Sequence, residues 1–300
     1  MNFVALLLGL AVERLLTHLF HLREFRWLDP VFNAVFLQLR NVKQVGALLA
    51  LGATAVLLIL PVALVATVLE DGLFQVPYFL FAVFVLLFSL GPRDLKEEVD
   101  DYAAAVEDGN AERTRQVARE LLEADPPDDI DEHVRQVERA IYVQANNRIF
   151  GVVFWFVVLG PTGAWLFRVL DLMRHHGAYR LEPDTHADHS TATAILSLHG
   201  VMAWLPARLL AVGYALAGSF EEAASDWRSY YENCAPRFFD VTNDVMSCVG
   251  CGATGQGRGS AAAAAAGAER ARTAMDLVIR TLWLIWCPLI AILTLYNWLA

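Results

Sequence analysis

Three long apolar blocks constrain this 300-residue chain more than any other feature. They occupy residues 46–69, 73–91 and 277–299. Each is close to the roughly 20 residues that a helix needs to cross a bilayer. A backbone inside hydrocarbon must satisfy its own hydrogen bonds, so blocks of this kind form helices. Hydrophobic residues make up 56% of the chain, above the roughly 45–50% that is usual in soluble domains. The sequence therefore predicts an all-α integral membrane protein.

Further segments are apolar but less regular. Residues 149–172 are long enough to span, yet Gly160-Pro161-Thr162-Gly163 interrupts them, so we expect either a broken spanning helix or a segment that enters and turns back. Residues 1–20 and 201–218 carry charged side chains, which favours helices that are interfacial, re-entrant or packed against the other helices over helices exposed to lipid. We expect no signal-peptide cleavage, because charges interrupt the N-terminal apolar stretch. The total is about four transmembrane helices.

Charge predicts the orientation and the kind of partner. Residues 92–148 carry 16 acidic and 8 basic side chains, and their apolar periodicity predicts a small segment of three short helices. Basic residues lie before the first block and after the second, whereas the connection at 70–72 has none. The positive-inside rule then places residues 1–45 and 92–148 in the cytoplasm of a multi-pass membrane protein. The net charge of −10 argues against a nucleic-acid partner. The partner that the apolar blocks predict is the lipid bilayer.

The composition divides the chain into five parts. These are an N-terminal amphipathic helix with a transmembrane hairpin (1–91), the cytoplasmic acidic helical segment (92–148), a broken membrane helix with a polar histidine-rich loop and a short membrane-associated helix (149–218), a polar and partly flexible segment (219–276), and a C-terminal transmembrane helix (277–300). The flexible part is predicted from its glycine-rich and alanine-rich stretch at 250–268.

Several motifs suggest chemistry that their surroundings do not support. The glycine-rich stretch at 250–259 lacks the Gly-Lys-Ser/Thr of a phosphate-binding loop, so a linker is expected. Cys248 and Cys251 form a single CxxC without the second ligand pair of a structural zinc site. Five histidines between 175 and 199 would permit a metal, but their spacing is not specific and a polar loop is the alternative. We assign no metal site and no catalytic residue.

Charged and amide side chains beside the apolar blocks are more informative. A charge inside a membrane segment is costly and is by default a hypothesis of function. The candidate ligand-binding residues are Glu13, Arg14, Asn146, Asn147, Arg148 and Arg208. Asn146, Asn147 and Arg148 are expected at the start of the helix at 149–172, where free N–H groups would attract an anion. Arg208 is expected early in a short helix, next to Pro206. The open alternative is that these side chains only hold helices together.

At these same residues the chain resembles a known family. The motifs are Asn-Arg-Ile-Phe-Gly at 147–151, Leu-Gly-Pro-Thr-Gly-Ala at 159–164, Trp-Leu-Pro-Ala-Arg-Leu at 204–209 and Tyr-Ala-Leu-Ala-Gly at 214–218. They resemble the AmpE family of inner-membrane proteins linked to regulation of β-lactamase induction. They are more distantly similar to the CobD/CbiB family of cobalamin biosynthesis.

The two resemblances imply different functions. The AmpE resemblance implies a regulator without a cofactor that responds to cell-wall muropeptide status. Its partner would be a cytosolic anhydro-muropeptide amidase pathway or another membrane protein. The CobD/CbiB resemblance implies an ATP-dependent, amide-forming enzyme that uses Mg-ATP. Where that family carries a glutamate–asparagine pair and an aspartate, this chain has Val143, Gln144 and Asn147, so we expect no enzyme. A transporter remains a third class, although the sequence shows no internal repeat.

Overall fold

The computed structural model describes residue 25 and the ranges 28–39, 42–70, 75–90, 94–180, 186–233, 241–255 and 264–292. Every regular element in these ranges is helical, which confirms the all-α class. The elements, in chain order, are α1 (Asp29–Leu39), α2 (Gln44–Glu70), α3 (Gln75–Ser89), α4 (Leu95–Glu107), α5 (Ala111–Leu122), α6 (Ile130–Ala145), a π-helical turn π1 (Asn146–Phe150), α7 (Gly151–Arg180), α8 (His186–Ala217), α9 (Phe220–Asn233), α10 (Val241–Ala253), α11 (Ala264–Thr281) and a second π-helical turn π2 (Leu282–Trp286).

Among the described residues, four helices are long and apolar enough to cross a membrane, and they are not all the expected ones. They are Gln44–Glu70, Ile130–Gly177, Ser190–Ala217 and Gly267–Ile292. The block at 73–91 yields only the 15-residue α3 in the described part of the chain, which is short for a span. The segment at 201–218 was expected to be short, but its helix begins well before residue 201 and is long enough to cross.

The expected histidine-rich loop at 173–200 is largely helical. Its described residues form the end of α7 and the first part of α8. Polar side chains do not stop a helix by themselves, and the helix-breaking residue of this stretch, Pro183, falls in the sequence between α7 and α8. Between these helices, only residues 181–185 lie outside the described ranges.

The acidic segment contains the three expected helices, α4, α5 and α6. Each begins at a side-chain cap. The carboxylates of Asp94 and Asp129 and the amide oxygen of Asn110 accept backbone N–H groups two or three residues later, at 2.9–3.0 Å. The apolar stripe of α4 is buried at Leu95, Val99 and Tyr102, as its spacing predicts.

The chain divides into two compact units. The first comprises Met1–Pro92 and Gly151–Ala203, and the second comprises Arg93–Phe150 and Trp204–Ala300. In the first unit, α7 packs against α2 and α3, and the indole N–H of Trp165 on α7 donates to the Leu58 carbonyl on α2 at 3.0 Å. Many leucines and valines of α2 are exposed, as a lipid-facing helix requires.

The first unit also buries charge. On α7, Arg168 and Asp171 are both almost fully buried and are paired at 2.9 Å. Arg174 binds the same carboxylate at 2.8 Å, and the His199 imidazole on α8 lies 3.8 Å from it. A buried carboxylate requires such partners, because an unpaired charge in an apolar interior is strongly unfavourable.

In the second unit, helices pack around α6 and α11. Helix α11 packs against α4 and α6, α6 also packs against α5 and α10, and α9 packs against α10. Two glycines allow close approach. A Cβ built on Gly250 would lie 2.6 Å from the Tyr142 ring, and one on Gly213 would lie 2.8 Å from the Thr281 methyl group. Small residues at such contacts let helix backbones come together.

A kink interrupts α7 at Gly160. Its backbone has φ 67° and ψ −157°, and Pro161 follows. This region of backbone space is essentially restricted to glycine. The block at 149–172 is therefore a broken helix, one of the two expected arrangements. The helix breaks here because the φ and ψ angles of Gly160 are not helical, and glycine adopts them without the strain that a Cβ would add.

We expect Gly160→Ala to destabilise the protein by about 1–3 kcal/mol, because alanine cannot adopt this conformation without strain. The matched control is Gly52→Ala on α2, where a Cβ meets nothing within 4 Å. That change should be neutral or slightly stabilising, since alanine favours helix. Thermal unfolding in detergent checks both variants. Equal melting temperatures would contradict the strain at Gly160.

Candidate functional site

The turn π1 lies where the sequence predicted a helix start. The backbone N–H of Asn146 is bonded to the carbonyls of Tyr142 and Val143, so α6 runs into π1 without a break. The expected anion site on free helix-start N–H groups is therefore wrong, because those groups are used within a continuous helix. A π-helical turn inside an α-helix is rare and is frequent at functional sites.

Asn146 and Asn147 are buried in this turn, at 0% and 1% exposure. Among the described residues, neither amide atom of Asn146 has a hydrogen-bond partner, and the same is true of the Asn147 amide oxygen. A buried polar atom without a partner costs about 1–3 kcal/mol. Three such atoms on adjacent residues give the turn the capacity to bind a polar group.

The same pattern continues along one face of α6. Glu138, Tyr142 and Asn146 are spaced four residues apart, so they lie on one side of the helix over about 12 Å. We call these three residues the polar row. All three are buried. In the described structure Glu138 Oε1 has no hydrogen-bond partner, whereas Oε2 lies 4.0 Å from Arg270; the Tyr142 hydroxyl lies beside Thr254 but makes no hydrogen bond of normal distance and angle. The polar row therefore presents carboxylate, hydroxyl and amide groups together.

Helices α8 and α10 contact the polar row at its centre. The rings of Tyr142 and Tyr214 on α8 are 5.2 Å apart, and the buried Tyr214 hydroxyl is a further group without a hydrogen-bond partner in the described residues. On α10, Gly250 packs against the Tyr142 ring. The Cys251 thiol hydrogen-bonds the Glu138 carboxylate.

The environment of Cys251 bears on the CxxC motif. Burial raises the pKa of the Cys251 thiol, and the nearby Glu138 charge raises it further. A thiol needs a lowered pKa to act as a nucleophile or metal ligand. Cys248 and Cys251 are not joined by a disulfide. The arrangement therefore disfavours thiolate chemistry. Within the described ranges, no three His, Cys, Asp or Glu side chains group as metal ligands would.

Arg148 ties π1 to the acidic helices. Its guanidinium donates to the Glu98 carboxylate on α4 at 2.8 Å and to the Gln144 amide oxygen at 3.2 Å. The Gln144 NH2 group in turn donates to the Leu121 carbonyl of α5 at 3.2 Å. The Arg148 and Glu98 side chains are only 11% and 6% exposed, so this ion pair is buried.

Arg208 lies in the second unit but apart from this network. It is far from the start of α8, contrary to expectation, because that helix begins at His186. Its guanidinium stacks over the Trp204 ring at 5.1 Å, and one buried nitrogen has no hydrogen-bond partner among the described residues. No hydrogen bond or ion pair links Arg208 to π1 in the described structure. Glu13 and Arg14 lie outside the described residues.

Glu98 and Glu138 are not among the residues predicted from sequence, although the sequence carries a signal for both. Glu98 lies three residues after Leu95 and Glu138 lies four residues after Val134, so both acidic residues fall on the apolar stripe of their helix. A carboxylate on a buried stripe needs a partner or a ligand. Tyr142 and Tyr214 carry no such signal, because a buried tyrosine resembles any core aromatic residue in sequence.

We expect Glu98→Gln to lower the free energy of unfolding by about 3 kcal/mol, because it leaves the buried Arg148 charge unpaired. Asp100→Asn on the same helix is the control, since Asp100 pairs with Lys96 at 2.7 Å on the exposed surface. An exposed pair contributes only about 0–1 kcal/mol. Thermal unfolding in detergent measures both. A loss in the control equal to that in Glu98→Gln would contradict a stabilising role for the buried pair.

A family model and several individual proteins are similar to this chain. The family model described as "Regulatory signalling modulator protein AmpE" matches residues 1–246. The chain is 28% identical over 233 residues to Protein AmpE of Shigella flexneri, covering 76% of this chain and 78% of that one.

Two cobalamin biosynthesis proteins named CobD are also similar. The protein from Chromobacterium violaceum is 26% identical over 175 residues, and the protein from Stutzerimonas stutzeri is 28% identical over 209 residues. These matches cover 58% and 68% of this chain but only 53% and 65% of the CobD proteins' own length. No solved structure matches the chain significantly.

Proposed function

The chain belongs to the AmpE family of regulatory membrane proteins, and on that premise we propose that it modulates β-lactamase induction in response to muropeptide status. The proposal places it in the inner membrane, with the acidic helices α4, α5 and α6 in the cytoplasm. The observation that carries the proposal is the polar row and the adjoining turn π1, which bury polar atoms that have no hydrogen-bond partner in the described structure.

The chemistry of the polar row suits a highly polar ligand. It offers amide, hydroxyl and carboxylate groups, which donate to or accept from amides and hydroxyls. Muropeptide fragments carry both kinds of group. A site built from buried hydrogen-bonding groups discriminates strongly against ligands that leave those groups unpaired. The same groups bind no cofactor in this proposal.

The Arg148–Glu98 pair supplies a route from ligand to partner. A ligand on Asn146 or Asn147 acts on the turn that also carries Arg148, and Arg148 holds α4 through Glu98. For regulation, the ligand must bind two packings of this region with different affinity. The partner belongs to a cytosolic anhydro-muropeptide amidase pathway or is another membrane protein. Its binding then depends on the position of the acidic helices.

The test replaces Asn146 and Asn147 by leucine, which is similar in size and has no polar atoms. The fold should tolerate this, because among the described residues the Asn146 amide and the Asn147 amide oxygen have no hydrogen-bond partner to lose. We expect the variant to accumulate in the membrane to the wild-type level but to lose its effect on induction of a β-lactamase reporter. Gln116→Leu on the exposed face of α5 is the control and should behave as wild type. Normal modulation by the asparagine variant at normal abundance would contradict the proposed site.

The second candidate is an ATP-dependent, amide-forming enzyme, and the similarity to two CobD proteins favours it. Against it, Val143 and Asn147 stand where carboxylates would be needed, and both ends of the Gln144 amide are already bonded within the protein. Thermal unfolding with millimolar Mg-ATP and cobyric acid separates the two functions. Stabilisation by these ligands would favour the enzyme, because ligands stabilise the fold that binds them. An unchanged melting temperature with both ligands would support the regulatory function.

A further inference from the structure

A cavity lies within the acidic helices, between α4, α5 and α6. Its volume is about 280 Å³, and it shares no lining residue with the polar row. Tyr102 and Val134 are buried and line its inner part, whereas Ala111 and Ile130 are exposed at its rim. A cavity of about 150 Å³ holds benzene. The volume here is therefore sufficient for a molecule of two fused rings.

An aromatic pair forms part of the wall. The rings of Tyr102 and His133 are nearly parallel, with an interplanar angle of 19° and centroids 6.0 Å apart. Val106, Pro127 and Val134 supply apolar wall beside them. Flat aromatic faces with aliphatic neighbours favour a flat, apolar ligand, because aromatic rings pack on one another in offset or edge geometries.

His133 supplies one specific polar contact. Its imidazole hydrogen-bonds the Pro127 carbonyl, whereas its Nε2 atom is buried and has no hydrogen-bond partner among the described residues. In a neutral imidazole, one nitrogen donates and the other accepts. The ring nitrogen that bonds the Pro127 carbonyl is Nδ1, and it is the donor. Nε2 is therefore an acceptor. A ligand that satisfies it must bring an O–H or N–H donor.

The charges at this cavity are already balanced. Arg115 and Asp128 at the rim form an ion pair at 3.0 Å. Burial raises the pKa of the Tyr102 hydroxyl to about 12, so the inner wall carries no charge at neutral pH. A charged ligand would gain no unpaired counter-charge here and would lose its hydration. An uncharged ligand fits these walls.

We propose that this cavity is a second binding site, which takes an uncharged aromatic molecule of one or two rings bearing a hydroxyl or N–H donor. The ring packs beside Tyr102 and His133, and the donor bonds His133 Nε2. The inference does not depend on the function proposed for the polar row. The acidic helices then have a ligand-binding site that is separate from the polar row.

The test uses the full-length protein in detergent with 6-fluoro-2-naphthol as the probe, followed by ¹⁹F NMR. We expect saturable broadening of the probe signal with the wild-type protein. Ala111→Trp places a bulky ring at the rim and should abolish the saturable part. Ala124→Trp is the matched control, because Ala124 is exposed and does not line the cavity. The Ala124→Trp protein should bind the probe as the wild type does. Its signal contains the same contribution from probe that enters the detergent.

His133→Phe keeps a flat ring but removes the acceptor. We expect it to weaken binding of the naphthol about 2- to 10-fold, the range for one neutral hydrogen bond. Binding of 2-fluoronaphthalene, which has no donor, should not weaken. This comparison remains informative if Ala111→Trp fails to fold. Absence of saturable binding to the wild type, or equal binding by Ala111→Trp and Ala124→Trp, would overturn the proposal.

Discussion

The ion pair between Arg148 and Glu98 is the interaction on which the organisation of the second unit depends. An arginine buried beside an apolar segment must be paired, since an uncompensated charge there costs several kcal/mol. Its partner comes from α4, fifty residues earlier in the chain. The same arginine bonds Gln144, which bonds the α5 carbonyl at Leu121. One buried cation therefore links π1 to α4 directly and to α5 through Gln144.

The turn π1 gives the site its polar character. Because α6 continues through the turn, its asparagines are buried rather than left at a solvated cap. Natural proteins rarely bury polar atoms without partners, and those that do so often use them. Among the described residues, such atoms lie on Glu138, Tyr142, Asn146 and Asn147, close together along one helix. The protein accepts the loss of stability at this place, and recognition of a polar ligand is the physical reason that we infer.

Much of the fold could be predicted from local patterns in the sequence. The apolar blocks, the three acidic helices and the break at Gly160 follow from local signals. The continuous passage from α6 through π1 could not be predicted, because Asn-Asn-Arg before an apolar block has the same local chemistry as a helix cap. The pairing of Arg148 with Glu98 depends on tertiary packing. Glu98 and Glu138 could have been found as acidic residues on apolar stripes, whereas the roles of Glu13 and Arg14 stay predictions.

The central claim is that the polar row is a binding surface rather than a packing defect. A cryo-EM structure of the protein in lipid nanodiscs, at a resolution that shows ordered water, tests it most directly. The account predicts density for water or ligand within hydrogen-bond distance of the Asn146 amide and the Tyr142 hydroxyl, with π1 retained. An ordinary α-helical turn at 146–150, with both asparagine amides bonded to protein groups and no density beside them, would contradict it.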